Sequence, residues 1–155
     1  MLLRLNRTLV LMTVLFCTST FAAEIKVIQP YVNATRANDL SASVYAQLIN
    51  NTQEERYLVA AQTDAASKVE LRTAVNRGQA NEMRNAPFFR IAPQSTLELS
   101  PSGDQIVLLG LIKPLETNTH INVTLLFKNG EQVAVRVPVT TLVTDFMHMK
   151  AKSAE

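Results

Sequence analysis

The sequence predicts an all-β protein of one domain, a sandwich or Greek-key barrel, and three observations predict it. Short runs rich in β-branched residues recur along the chain, several with strict alternation of apolar and polar positions. Turn-forming residues separate these runs at regular spacing. No stretch of eleven or more residues carries a convincing helical face, and only "TDAAS" (63–67) offers a single helical turn. Many short strands at such spacing are the pattern of sandwiches and barrels.

A targeting segment precedes the strands. Arg4 and Arg7 form a positive start, "TLVLMTVLFCTSTF" supplies the apolar run, and small residues around Ala22 occupy the positions a signal peptidase reads. Cleavage is expected after Ala22, with Ala23 as the alternative. This divides the chain into a signal peptide (1–22), a β-sandwich domain (23–140) and a C-terminal tail (141–155). The single cysteine, Cys17, leaves with the signal. Phe16 stands before it, where a lipoprotein signal carries a small residue, so the reading is a product with no membrane anchor after cleavage. An exported chain without cysteine has no disulfide to hold it and relies on packing. Without Arg4 and Arg7 the 15 basic residues become 13, equal to the 13 acidic ones. That balance leaves no basic face for nucleic acid.

The strands follow in order. "IKVIQPYVNA" (25–34), "ASVYAQLIN" (42–50), "RYLVAAQT" (56–63) and "KVELRTAV" (68–75) come first, each short and rich in β-branched residues. "STLELS" (95–100), "QIVLLGL" (105–111), "HINVTLLFK" (120–128) and "QVAVRVPV" (132–139) complete the set. In the last, Val133, Val135 and Val137 face one side while Ala134, Arg136 and Pro138 face the other. Asn129-Gly130 in "KNGE" predicts a hairpin, because both central residues tolerate positive φ. Gly78 in "NRGQ" and Gly103 in "PSGD" mark further tight turns. "LIKPLETNT" (111–119) reads as a loop, because Pro114 has no N–H to give a ladder.

Enzyme signatures are absent from the exported part. It has no cysteine nucleophile and no G-x-S-x-G elbow, and its two histidines are separated, His120 opening a strand and His148 lying in the tail. The four glycines stand singly, so no phosphate-binding loop forms. Glu70, Glu82 and Asp104 lie beside turns and are expected to face solvent. The chain is read as a non-enzyme.

The tail, "DFMHMKAKSAE", sets Met147, His148 and Met149 in a row. Two thioethers and one imidazole are the donors Cu(I) prefers. The alternative is a stub whose Phe146 packs on the sandwich.

Three stretches carry a family resemblance: "VYAQLINNTQEERYLVAAQTDAASKVELRTAV", "IAPQSTLELSPSGDQIVLLGLIKPL" and "INVTLLFKNGEQVAVRVPV". Together they resemble the periplasmic copper chaperones called PCu(A)C, most specifically in "LLGLIKPL" and the closing hairpin. The resemblance implies a cupredoxin-like Greek-key β-sandwich, a periplasmic location, and Cu(I) carried toward the copper site of cytochrome oxidase. It also implies partners, either a copper-site assembly protein or an oxidase subunit.

The family's metal site is spaced as His, ten residues, Met, twenty-one residues, then His-x-Met. Laid on this chain, those positions fall on Arg72, Met83, Gln105 and Val107. Met83 alone keeps a ligand. A guanidinium stays protonated and repels a cation, an amide is a poor donor for Cu(I), and valine has no donor atom. Two functions follow as expectations. One is weak copper handling through Met83 with Met147, His148 and Met149. The other is a metal-free interaction module in which Arg72 and Gln105, with Glu70, Glu82 and Asp104 nearby in sequence, form a charged or hydrogen-bonded patch.

Overall fold

A computed structural model describes residues 24–77 and 80–141. Those residues form ten strands in chain order: β1 Ile25–Asn33, β2 Ser41–Asn50, β3 Arg56–Thr63, β4 Ala66–Arg77, β5 Ala80–Asn85, β6 Phe89–Ile91, β7 Ser95–Leu99, β8 Gln105–Leu111, β9 His120–Phe127 and β10 Gln132–Thr140. No helix occurs among the described residues. Hydrogen-bonded neighbours run β5-β4-β8-β2-β1-β10-β9-β3-β6, with β7 beside the second half of β2. The only parallel pairing on this path is β1 with β10, and it joins the two layers of the sandwich.

Alternation builds the core. Val139, Val32, Val44, Ile106 and Leu71 follow one another across five strands by register, and all five are buried. The opposing layer answers with Leu58, Ile121, Val123, Leu125, Val133 and Val137. The void left at the centre is about 10 Å³, lined by apolar side chains from both layers. It is too small and too apolar to hold a ligand or an ordered water.

Eight expected strands appear with ends shifted by no more than two residues, and two strands are additions. β5, "ANEMRN", has no apolar alternation because it is an edge strand, and Glu82 to Asn85 are exposed. β6 alternates correctly but is only three residues long. The expected hairpin forms at Asn129-Gly130. Only Gly130 has positive φ, 86°, with Gly130 N–H donating to Phe127 C=O at 3.0 Å and Phe127 N–H to Glu131 C=O at 2.9 Å. That is a three-residue loop closed by a glycine bulge. "TDAAS" makes no helical turn. It links β3 to β4, with Ala65 N–H donating to Thr63 Oγ1 at 3.2 Å. The signal segment, Cys17, Gly78 and the tail lie outside the described residues.

Candidate functional site

Strand register gathers the four family positions. β4 pairs with β8 so that Arg72 meets Gln105 and Glu70 meets Val107. On its other side β4 pairs with β5, Arg72 meeting Asn85 and Ala74 meeting Met83. Residues directly opposite one another project from the same face. Glu70, Arg72, Met83, Asn85, Gln105 and Val107 therefore share the outer face of this layer, while Leu71, Ile106 and Leu108 point into the core. Met83 lies on the part of the β4–β5 hairpin that runs past the first residue of β8. Its side chain is 37% exposed.

The chemistry on that face is ionic and amide. Arg72 directs Nε and Nη2 at Glu70 Oε2, at 3.0 and 2.8 Å. Lys68 Nζ takes the other oxygen, Oε1, at 2.7 Å. The two cations, Lys68 first and Arg72 second, hold the Glu70 carboxyl below the usual carboxylate range. Gln105 is buried, and its Nε2 donates to Pro101 C=O at 2.7 Å across the turn that ends at Asp104. Val107 is buried too, between Glu70 on one side and Ser43 of β2 on the other. Tyr45, next along the same face of β2, is buried and packs against Tyr31 with ring centroids 5.0 Å apart and the planes tilted by 41°.

Of the residues expected in a patch, Arg72 and Glu70 pair, Gln105 stands opposite Arg72 but bonds Pro101, and the other two acids lie apart. Glu82 pairs with Arg84 at 3.0 Å on β5. Asp104 contributes its carbonyl, which accepts from Ser100 N–H at 2.9 Å. His120 is exposed at the start of β9 in the other layer, paired with Pro138. Lys68 and the Pro101 carbonyl were not foreseen. The alternation in "KVELR", which puts Lys68, Glu70 and Arg72 on one face, held the signal for Lys68. A backbone carbonyl leaves none.

These residues do not fit a copper ion. A cation, an amide already spent on a carbonyl and an aliphatic side chain surround one thioether, and Cu(I) needs at least a second soft donor. Among the described residues, no three His, Cys, Asp or Glu side chains converge. Met147, His148 and Met149 lie outside the described residues, but the strand that leads to them is placed. Thr140 pairs with Asn33, in the register row that continues through Ser43 to Val107. The end of β10 is therefore three strand spacings from Val107, about 14 Å along the sheet.

This layering and strand order are those of a PCuAC domain. The copper-bound PCuAC domain from PmoF2 matches with a TM-score of 0.67 at 18% identity, over 78% of this chain and 97% of that one. Apo-DR1885 from Deinococcus radiodurans matches with a TM-score of 0.62 at 28% identity, over 79% of this chain and 83% of its own. The chain belongs to the LpqE-like family, described as "Putative lipoprotein LpqE-like", which matches residues 25–139. It is similar to "Putative lipoprotein Lxx21020" of Leifsonia xyli subsp. xyli (strain CTCB07), 38% identical over 98 residues. That match takes in 63% of this chain and 59% of the relative, so the chain spans less than two thirds of that protein. These matches are to PCuAC domains and lipoproteins, not to enzymes.

Proposed function

We propose that this is an exported, copper-chaperone-like protein whose sheet site has lost its donors, and that it handles Cu(I) weakly by joining Met83 to Met147, His148 and Met149. The observation that carries the reading is the placement of Met83, exposed on the outer face of the layer that β10 also borders. Met147 lies seven residues past Thr140, a reach of about 23 Å when extended. By register Met83 lies five strand spacings and four residues from Thr140, about 27 Å along a flat sheet, and the two methionine side chains span the remainder. The kinship supports copper as the cargo, since PmoF2's domain is described copper-bound and DR1885 is also described with Cu(I). The recipient would be a copper-site assembly protein or an oxidase subunit, reached in the periplasm after cleavage at Ala22 and without acylation of Cys17.

A second reading has its own observation. Lys68, Glu70 and Arg72 satisfy one another and Gln105 is satisfied by Pro101, a face already complete without metal. Under that reading the fold is a metal-free interaction module.

A Cu(I) competition titration separates the two, run on the exported product, whose intact mass should begin at Ala23. Truncation after Asp145 and Met83→Leu are measured beside it. One-to-one binding that weakens in both variants is the expected result. Absence of competition in the full mature protein would retire the copper reading and leave the module.

A further inference from the structure

β5 covers only half of its neighbour. It pairs with β4 from Arg72 to Arg77, and at its end Ala86 N–H donates to Leu71 C=O at 2.8 Å. The chain then crosses through Pro87 and Phe88 to β6 in the other layer. Among the described residues, no strand pairs with Ala66–Glu70 on that side of β4.

Two hydrogen bonds fix where the main-chain groups of this segment point. Leu71 C=O faces the β5 side, and alternate residues of a strand direct N–H and C=O the same way. Val69 and Ser67 therefore face the open side. From the other direction, Gly110 N–H donates to Leu40 C=O at 2.8 Å, which turns the even residues of β8 toward β2. Gln105, Val107 and Leu109 are left to bond Arg72, Glu70 and Lys68, which gives the same assignment.

β3 has a matching gap. β6 pairs with it only from Arg56 to Leu58, so Val59–Thr63 are uncovered on that side. The two open edges flank a surface cleft of about 300 Å³, lined by Val59, Ala61, Val69 and Leu71 with Lys68 and Glu70 beside them. An uncovered edge with small apolar residues at its side is the setting in which an extended peptide adds as a strand.

Charge says which peptide. Lys68 and Arg72 share the single carboxylate of Glu70, whereas Arg84 and Glu82 match one to one. One positive charge is left over at this edge, and the Lys68 side chain is 66% exposed. A second copy of the chain would set that surplus against itself.

We propose that the open edge of β4 at Ser67–Val69 binds an extended, acidic segment of a partner protein as an added strand, in line with β5. Val69 N–H and C=O supply the ladder, small apolar side chains of the segment lie over Val59 and Ala61, and its acid meets Lys68. The proposal is independent of copper, and its test uses no metal.

The probe is a synthetic peptide of alternating threonine and valine with one central aspartate, compared with the same peptide carrying lysine there. Amide NMR of the mature protein follows Ser67–Glu70. Val69→Pro removes the outward N–H while sparing the ladder to β8, as edge prolines do. Lys68→Glu reverses the charge and leaves the backbone alone. The expected result is a saturable shift at Ser67–Glu70 with the aspartate peptide, weakened about tenfold or more by either variant and by the lysine peptide. Either of two results overturns the proposal: no saturable shift at this edge, or equal binding by Lys68→Glu. Self-association of the wild type that Lys68→Glu leaves intact and Val69→Pro abolishes would name a second copy as the occupant, and would overturn it as well.

Discussion

Arg72 occupies the central strand of the face that gathers the four family positions, and its fork is spent on Glu70 rather than left toward solvent. That pairing makes a pH statement. The Glu70 carboxyl sits below its ordinary value because of Lys68 and then Arg72. A carboxyl depressed in the folded state contributes stability that is fully present above its unfolded pKa and is lost as pH falls through the folded one. Carboxyl NMR titration should therefore find Glu70 below the ordinary carboxylate range. It should move up in Lys68→Ala and, by less, in Arg72→Ala. A Glu70 titration unmoved by both changes would mean that the ion pairs do not persist in solution. Legibility at this scale divides by residue type. The charge alternation Lys68, Glu70, Arg72 is plain in the sequence, because a strand puts every second residue on one face. The burial of Gln105 is not, because an amide reads as surface until the carbonyl that satisfies it is placed. Here that carbonyl belongs to Pro101, in a turn whose geometry the residues do not spell out.

At the scale of elements, the β4–β8 pairing carries the site, and Gly110 interrupts it. Its φ is 65°, and a Cβ there would run into Ser67 Oγ, which itself donates to Leu109 C=O at 3.2 Å. The register between β4 and β8 skips this pair. Gly110→Ala should cost about 1–3 kcal/mol, from left-handed backbone strain and from the clash. Adding Ser67→Ala should recover only the clash. Denaturant unfolding measures both, and a neutral Gly110→Ala would contradict the assigned backbone. Most of the eight strands were readable because they bury one face against the core, which forces a period of two, and β8, buried on both faces from Gln105 to Leu108, was readable as a short β-branched and apolar run. β5 buries neither face well, so nothing in "ANEMRN" marks it as a strand. It is held by its neighbour alone, yet it is the strand that brings Met83 to the site. The closing hairpin was predicted in place. Asn-Gly tolerates two positive φ angles, and here the longer loop needs only the one at Gly130.

At the scale of the whole molecule, the demands of the fold and of the face are separate. The apolar rows that fix the sandwich are intact, and with them the register that sets positions 72, 83, 105 and 107 on one face. Ligand identity makes no demand on that core, because the four side chains project away from it, so donors can be lost without loss of fold. Kinship and architecture could accordingly be read from the sequence, whereas the fate of the face had to be read from its contacts.

The most direct measurement is a Cu(I) competition titration of the variant Arg72→His/Gln105→His/Val107→Met, truncated after Asp145, beside the same truncation of the wild-type chain. If register alone still assembles the site, the triple variant binds one Cu(I) tightly and the wild-type truncation does not compete. A folded triple variant that fails to bind, or a wild-type truncation that binds as well as the full chain, would contradict the account.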